Sequence, residues 1–196
     1  MKLCFSTLGC PSWSWNRIVE EAPRLGFDGL ELRGVEDQMY LPKADPFLPQ
    51  NIDATMADLA KRGLSLACLG SSSSFHANVD KNMAEAKEYI DLAARLRVRY
   101  VRVFGDKIPD PDRKEETVEQ VASALRELGD YGAHQGVRVI LETHGDFSRS
   151  EDLVDVLERV DNPYVGILWD VHHPYRFFGE AMADTFEKLK KRIFHV

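Results

Sequence analysis

The chain has 196 residues, with 25 Lys and Arg against 32 Asp and Glu, which gives a formal net charge of −7. No apolar run approaches the roughly 20 residues that cross a bilayer, and the N-terminus lacks the apolar core and cleavage site of a signal peptide. We therefore expect one globular, cytoplasmic domain over residues 1–196 without a membrane partner. The acidic balance argues against nucleic acid as a partner, because phosphate binding requires a dense basic face. Association into a homo-oligomer is left open.

The three cysteines, Cys4, Cys10 and Cys68, show no CxxC spacing. Cys4 and Cys68 lie in apolar, strand-like runs, where a reduced cysteine acts as a small core residue. This placement predicts reduced core thiols rather than a disulfide or a cysteine metal site.

Seven short apolar runs alternate with longer amphipathic stretches along the chain. Most are apolar almost without interruption or end in one polar residue, which is typical of strands buried on both faces of a parallel sheet. They begin roughly every 30 residues, the length of one βαβ unit. The predicted strands are residues 3–7, 29–32, 65–69, 100–104, 138–141, 165–169 and 193–196.

The stretches between these strands carry helical periodicity. In the fourth stretch, apolar side chains recur at three- and four-residue steps and therefore share one helix face. Gly26, Gly63 and Gly136 follow helical patterns at positions where a left-handed residue ends a helix. Residues 35–50, with three prolines and no clear period, are predicted to form a long loop after the second strand. The apolar residues of the fourth helix are Val118, Val121, Ala122, Leu125 and Leu128.

Polar side chains gather at or just beyond the C-terminal ends of the predicted strands. In an open parallel sheet such residues collect at one switch point, whereas here nearly every strand contributes, which favours a (β/α)8 TIM barrel. A full barrel takes about 250 residues, so this α/β chain is predicted to stop inside strand seven, without strand eight, as a C-terminally truncated domain. The strand-end residues are Glu31, Arg33, His76, Arg102, Glu142, His144, Asp170 and His173.

Two carboxylates end strands that are otherwise apolar. Glu142 follows Val-Ile-Leu directly, and Asp170 follows Gly-Ile-Leu-Trp, with His173 three residues later. A buried carboxylate is costly unless it has a cation or hydrogen-bond partners. Carboxylate oxygens and an imidazole that converge at one barrel mouth are suitable ligands for one divalent ion, Mn²⁺, Mg²⁺, Co²⁺ or Zn²⁺.

Each of these residues also has a purely structural interpretation. Glu142 can form an ion pair with Arg102 on the neighbouring strand, and Asp170 can cap the helix that follows it. His172 or His173 can hydrogen-bond locally, as a single histidine usually does. Taken together, the strand-end carboxylates and histidines favour a metal site.

Residues near the first two strands are candidates for contacts with a sugar. Trp13 and Trp15 lie just beyond strand one, and their large rigid faces suit an apolar wall against which a sugar stacks. We expect one of the two to serve in this way and the other to pack under the first helix. Glu31 and Arg33 are two residues apart on a strand and share one side, so they either pair with each other or bind substrate hydroxyls.

Several segments resemble the sugar phosphate isomerase/epimerase family, within the xylose-isomerase-like TIM-barrel superfamily. They are STLGCPSW, GFDGLELRG, YVRVFGD, LETHGDF, WDVHHPYR and the terminal FHV, and they occur in family order from Met1 to Val196. The superfamily also holds ketohexose 3-epimerases, inosose dehydratases and apurinic endonucleases. The glutamate of strand five with the Asp-x-x-His of strand six is specific to the superfamily but not to one substrate.

The resemblance implies a divalent ion held by four side chains. Glu142 matches the first ligand and Asp170 the second. The third is usually the second histidine of a His-x-His in strand seven, where His195 matches only the first. The fourth is a glutamate of strand eight, so only two of the four expected ligands fall within the chain. His173 matches a histidine that touches substrate hydroxyls near the metal, and Glu142 and His173 are the predicted catalytic residues.

The resemblance also suggests which residues contact the substrate. His76 matches a strand-three position that in some members faces substrate or a second metal, although a helix-entry histidine is an equal alternative. The predicted substrate-binding set is Trp13, Glu31, Arg33, His76, Arg102, His144 and Arg176.

The activity implied by the resemblance is that of a metal-dependent isomerase or epimerase of a small sugar or sugar phosphate. The ion would chelate a carbonyl and an adjacent hydroxyl, acidify the C–H between them and stabilise the enediolate, while Glu142 moves the proton. The main alternative is an inosose-type dehydratase, which would also act through an enolate but would expel a hydroxyl. An abasic-site endonuclease is disfavoured by the charge of −7. A barrel fragment without activity is the non-enzyme alternative.

Overall fold

The computed structural model describes residues 2–196, which contain seven strands arranged in chain order, β1 to β7, in one sheet. The pairs β1–β2, β2–β3, β5–β6 and β6–β7 are parallel, as the apolar character of the runs predicts. The chain ends with the seventh strand, in agreement with the predicted fold. The strands are Cys4–Ser6 (β1), Gly29–Leu32 (β2), Ser65–Ser74 (β3), Tyr100–Phe104 (β4), Arg138–Glu142 (β5), Val165–Leu168 (β6) and Ile193–His195 (β7).

Helices alternate with these strands, and the connection from β6 to β7 holds two of them rather than the single helix expected. Gly179, at φ 67°, ends the first of the two and lets the chain turn into the second. No described helix is both long and apolar enough to cross a membrane. The helices are Trp15–Arg24 (α1), Ile52–Lys61 (α2), Val79–Arg95 (α3), Lys114–Ala133 (α4), Ser150–Val160 (α5), His172–Phe178 (α6) and Met182–Leu189 (α7).

The described residues fall into two compact units. The first comprises residues 2–71 and 88–101, and the second comprises residues 72–87 and 102–196. A single domain spanning residues 1–196 stays a prediction.

In the first unit, α1 packs through a fully buried apolar stripe of Ile18, Val19 and Ala22. Ser14 caps this helix, because its side chain accepts a hydrogen bond from the backbone N–H of Arg17. The predicted loop at residues 35–50 is confirmed in outline but contains two short 3₁₀ turns. The second turn buries Phe47.

In the second unit, the predicted apolar face of α4 is confirmed, since all five of its named side chains are buried.

The glycines predicted to end helices, in both units, also behave as expected. Gly26, Gly63 and Gly136 have φ angles of 83°, 69° and 71°, which a residue without a Cβ adopts at little cost.

The third strand is longer than the apolar pattern indicates, since it continues to Ser74 instead of ending at residue 69. The added residues are Gly70 and four serines, and burial alternates along the first three of these serines. Ser71 and Ser73 are fully buried, whereas Ser72 is exposed. Side chains alternate between the two faces of a strand, and in this part of β3 the buried positions are occupied by serines. The strand therefore continues although its sequence is no longer apolar.

Candidate metal and substrate site

The C-terminal ends of β5 and β6 bring three ionisable side chains together. Glu142 is the last residue of β5 and stands opposite Leu168 in the parallel register, two residues before Asp170. Glu142, Asp170 and His173 each offer a ligand atom, and these atoms all lie within 4.8 Å of one another. The proximity of the two carboxylates agrees with the sequence prediction. The imidazole of His173 lies in the same cluster, and its contact with substrate stays a prediction.

Thr143, one residue after Glu142, connects the ends of the two strands. Its backbone N–H donates to the carbonyl of Leu168 at 3.1 Å, and its side-chain hydroxyl donates to the carbonyl of Asp170 at 2.9 Å. Its own carbonyl accepts a hydrogen bond from Nδ1 of His173 at 2.7 Å. This fully buried residue therefore fixes the backbone of Asp170 and the ring of His173 together.

The contact with Thr143 also determines the tautomer of His173. With Nδ1 carrying the proton, a neutral ring has a lone pair on Nε2. Nε2 lies 3.7 Å from Oδ2 of Asp170, on the side of the ring that faces the cluster. An imidazole held in this way by a backbone carbonyl is prepared to bind a metal ion.

Asp170 serves the structural role suggested for it as well. Its Oδ1 atom accepts a hydrogen bond from the backbone N–H of His172 at 2.9 Å, at the start of α6. The two carboxylate oxygens are thus divided, one holding the helix entrance and the other turned towards His173. The helix-capping interpretation and the metal interpretation are compatible at this residue.

Glu142 forms the ion pair that its position next to β4 suggested. Nε of Arg102 lies 2.8 Å from Oε2 of Glu142, and both side chains are largely buried. The guanidinium carbon of Arg102 lies 3.9 Å from the centre of the Phe104 ring. Glu142 also offers a ligand atom to the cluster with Asp170 and His173. Arg102 balances one of the two negative charges that Glu142 and Asp170 carry, and a bound cation would offset the remainder.

Rings from β4, from the segment after β5 and from α6 form a continuous row beside the carboxylates. The centroids of Phe104 and His144 are 4.7 Å apart, those of His144 and His173 are 5.0 Å apart, and those of His173 and Phe177 are 5.4 Å apart. Burial lowers the pKa of His144, and the carboxylate of Asp106 opposes this shift without cancelling it. His144 is therefore held as a neutral imidazole at neutral pH.

Asp106 was not identified from the sequence and lies between two predicted site histidines. Its Oδ1 is 3.5 Å from Nδ1 of His144, and its Oδ2 is 3.8 Å from Nδ1 of His76. The Asp106 backbone has φ 70°, which is unusual for a residue with a side chain, and its carbonyl accepts the N–H of Asp146 at 2.6 Å. His76 also contacts Oγ of Ser74 at 2.8 Å. The sequence signals for Asp106 are its position two residues after the end of β4 and its place at the end of the segment YVRVFGD.

The remaining predicted residues of the second unit lie at its surface or sheet edge. Arg176 is exposed on α6. His195 belongs to β7, where it pairs with Leu168, and its carbonyl accepts the N–H of Trp169 at 2.9 Å. A role for Arg176 in substrate binding stays a prediction.

The first unit contains Trp13, Trp15, Glu31 and Arg33. Trp15 is buried at the start of α1, with its ring centroid 5.3 Å from that of Phe47, so it is the tryptophan that packs into the core. The ring of Trp13 is half-buried and lies 4.0 Å from the guanidinium carbon of Arg17.

Glu31 and Arg33 are also half-buried, at the end of β2. The backbone N–H of Arg33 donates to Oγ1 of Thr7 at 2.9 Å, which ties the end of β2 to the turn after β1. Contacts of Trp13, Glu31 and Arg33 with substrate stay predictions.

Ionisable side chains at the carboxyl ends of successive parallel strands define a protein of the β/α-barrel class. Residues 19–196 match the model of the family described as xylose isomerase-like TIM barrel. The chain therefore belongs to the xylose isomerase-like TIM-barrel family, as the sequence resemblance indicated. Among curated proteins, none matches the chain significantly.

Solved structures share this fold along nearly the whole chain. The probable 3-DHS dehydratase AsbF of Bacillus anthracis superposes with a TM-score of 0.82 at 22% identity, covering 98% of this chain and 71% of that one. The 3-keto-D-glucoside 4-epimerase YcjR of E. coli gives 0.81 at 16% identity, covering 100% and 78%. The IOLI protein with a binding zinc atom gives 0.79 at 22% identity, covering 99% and 71%. At these identities the likeness establishes the fold.

Proposed function

We propose that this protein is a divalent-metal-dependent enzyme that isomerises or epimerises a small carbohydrate through an enediolate. The observation that carries the proposal is the cluster of Glu142, Asp170 and His173, whose ligand atoms lie within 4.8 Å of one another. Support also comes from the names of the structural neighbours, which include a sugar epimerase and a zinc-containing protein.

The three side chains fit a divalent ion. Two carboxylates and one imidazole supply the oxygen and nitrogen donors that Mg²⁺, Mn²⁺, Co²⁺ and Zn²⁺ accept. The hydrogen bond from Nδ1 of His173 to the Thr143 carbonyl leaves Nε2 as the ligand atom. When bound, such an ion polarises a carbonyl oxygen and lowers the pKa of the neighbouring C–H.

The chain's own residues then bind the substrate and move its proton. Glu142 is the proposed base, and Nε of Arg102 lies 2.8 Å from its Oε2 and offsets its charge. Neutral His144 is beside His173, so its ring can exchange hydrogen bonds with substrate hydroxyls. The carbonyl of Thr143 keeps the ring of His173 in a single orientation. Fixed orientation of this kind is what lowers the barrier for a proton transfer.

A dehydratase is the second candidate, and the adjacency of His144 and His173 favours it. The neutral ring of His144, 5.0 Å from that of His173, can donate a hydrogen bond to a departing hydroxyl. The carboxylic acid that Glu142 becomes after taking the carbon-bound proton can then supply the proton with which that hydroxyl leaves as water. The fold is also shared with the probable 3-DHS dehydratase AsbF. The two candidates differ in product, because an epimerase retains every oxygen of the substrate and a dehydratase releases one as water.

The proposal is tested with the 196-residue protein loaded in turn with Mg²⁺, Mn²⁺, Co²⁺ and Zn²⁺. Ketoses and cyclic keto-polyols are incubated with it in D₂O, and NMR follows deuterium incorporation next to the carbonyl. We expect exchange that depends on the metal and is lost in Glu142→Gln, whereas exposed Glu20→Gln on α1 behaves as the wild type. Retention of metal binding and exchange in Glu142→Gln would contradict the assignment. An unsaturated product would identify the dehydratase.

A further inference from the structure

The short helix α6 presents aromatic side chains to solvent immediately beside the candidate site. Phe177 is 62% exposed, the largest exposed fraction among the phenylalanines of α6. Its ring lies 5.4 Å from that of His173 and 6.3 Å from that of His172, centroid to centroid. A phenyl ring in water is unfavourable, so an exposed ring that touches a ligand-cluster histidine calls for a functional explanation.

Phe177 is held in place by a well-connected helix end. Gly179 ends α6, and the backbone N–H of Glu180 donates to the carbonyl of Pro174 at 3.2 Å. The carboxylate of Glu180 then accepts hydrogen bonds from the N–H of Ser150 at 3.0 Å and from Oγ1 of Thr185 at 2.9 Å. These contacts tie the end of α6 to the starts of α5 and α7, so the exposed ring stands on a fixed support.

The neighbouring aromatic residue on the same helix has different surroundings. The ring of Phe178 is 42% exposed and lies 5.8 Å from the guanidinium carbon of Arg149. Phe177 is the aromatic residue of α6 that continues the row of rings formed by Phe104, His144 and His173. Exposure alone does not distinguish the two phenylalanines, but contact with the row does.

We propose that Phe177 is a substrate-binding residue that packs against the C–H face of a ring-shaped polyol, a deepening that rests on the proposed function. Flat aromatic rings at the edge of a polar site supply apolar contact area at small entropic cost, while the polar groups fix orientation. A cyclic polyol has both surfaces that this arrangement requires. One face of C–H groups covers Phe177, and the hydroxyls at the ring edge reach the Glu142, Asp170 and His173 cluster. An open-chain polyol has no such face.

Binding of D-fructose, whose ring forms in solution present such a C–H face but have no free carbonyl, is compared with binding of open-chain sorbitol by saturation-transfer NMR. The comparison therefore measures recognition of the ring and not turnover. The Mn²⁺ or Mg²⁺ dissociation constant is measured separately by calorimetry, with Mg²⁺ used for the NMR samples. We expect the wild type to bind D-fructose more tightly than sorbitol. Phe177→Leu should raise the Kd for D-fructose about fivefold without changing metal affinity, and Phe178→Leu is the matched control that should change neither.

Each outcome bears on a separate claim. Equal D-fructose affinity in Phe177→Leu and wild type, or equal losses in Phe177→Leu and Phe178→Leu, would overturn the role of Phe177 and leave the metal-dependent enzyme intact. Metal binding without binding of either polyol would overturn the carbohydrate assignment together with this inference. A Phe177→Leu variant that loses metal affinity would show that the ring supports His173 instead of substrate.

Discussion

Replacement of Thr143 by valine is the perturbation that most directly tests how the candidate site is held together. Valine matches threonine in shape, so the substitution removes the hydroxyl and its 2.9 Å hydrogen bond to the carbonyl of Asp170 while it retains the packing. The two backbone contacts, to Leu168 at 3.1 Å and to Nδ1 of His173 at 2.7 Å, remain available. The variant therefore separates the placement of Asp170 from the placement of His173.

The expected magnitude follows from this separation. Loss of one buried hydrogen bond with its acceptor left in place costs about 1–3 kcal/mol of stability. Loss of a partner that orients a metal ligand typically costs 10–100-fold in metal affinity. Because the contact to His173 survives, we expect the Mn²⁺ affinity of Thr143→Val to fall about tenfold, at the lower end of that range.

The assay combines calorimetric titration with Mn²⁺ and urea unfolding monitored by circular dichroism. Thr143→Ser is the control, since it keeps the hydroxyl and loses only a methyl group. We expect its metal affinity to stay near that of the wild type, with a modest loss of stability. Wild-type affinity in Thr143→Val, or equal weakening in both variants, would refute the claim that this hydroxyl positions Asp170.

Three further predictions concern charge, backbone and thiol chemistry in the described chain. Arg102→Met leaves the carboxylate of Glu142 buried without its guanidinium partner, and should lower the free energy of unfolding, measured in urea, by about 3–5 kcal/mol. Added Mn²⁺ should recover part of this loss. An unchanged free energy of unfolding would contradict the ion pair. Gly145→Ala should lower the free energy of unfolding by more than about 1 kcal/mol, because Gly145 has φ 60° and an added Cβ would lie 2.3 Å from a backbone oxygen. Gly136→Ala should lower it less, because Gly136 has a similar φ of 71° but open space around it. Burial raises the pKa of the Cys10 thiol, so its thiolate fraction at pH 8 is smaller than that of a free cysteine. Alkylation of Cys10, followed by mass spectrometry, should be slow at pH 8 and should accelerate as the pH rises. Rapid labelling of Cys10 at pH 7 would contradict the raised pKa.

The sequence by itself determined the sheet and the order of its strands. Apolar runs at regular spacing predicted seven strands, and all seven are present in chain order in the described residues. Glu142 and Asp170 could be placed together because each follows a strand, and neighbouring parallel strands bring their carboxyl ends to the same edge of the sheet. The face of α4 was equally predictable, since periodic burial is a local property that does not depend on which element covers it.

The tertiary structure decided the contacts that make these residues a site. The hydrogen bond from the ring of His173 to the carbonyl of Thr143, 30 residues earlier, orients that ring towards the carboxylates, and the contact of His173 with substrate stays a prediction. Asp106 was missed because its relevance lies in two histidines, His76 and His144, that follow other strands. The longer β3 and the division into α6 and α7 were missed because buried serines and a left-handed glycine leave no apolar pattern. Side-chain periodicity reports which face of an element is covered, whereas backbone hydrogen bonds and ring contacts between distant segments form only when the elements pack.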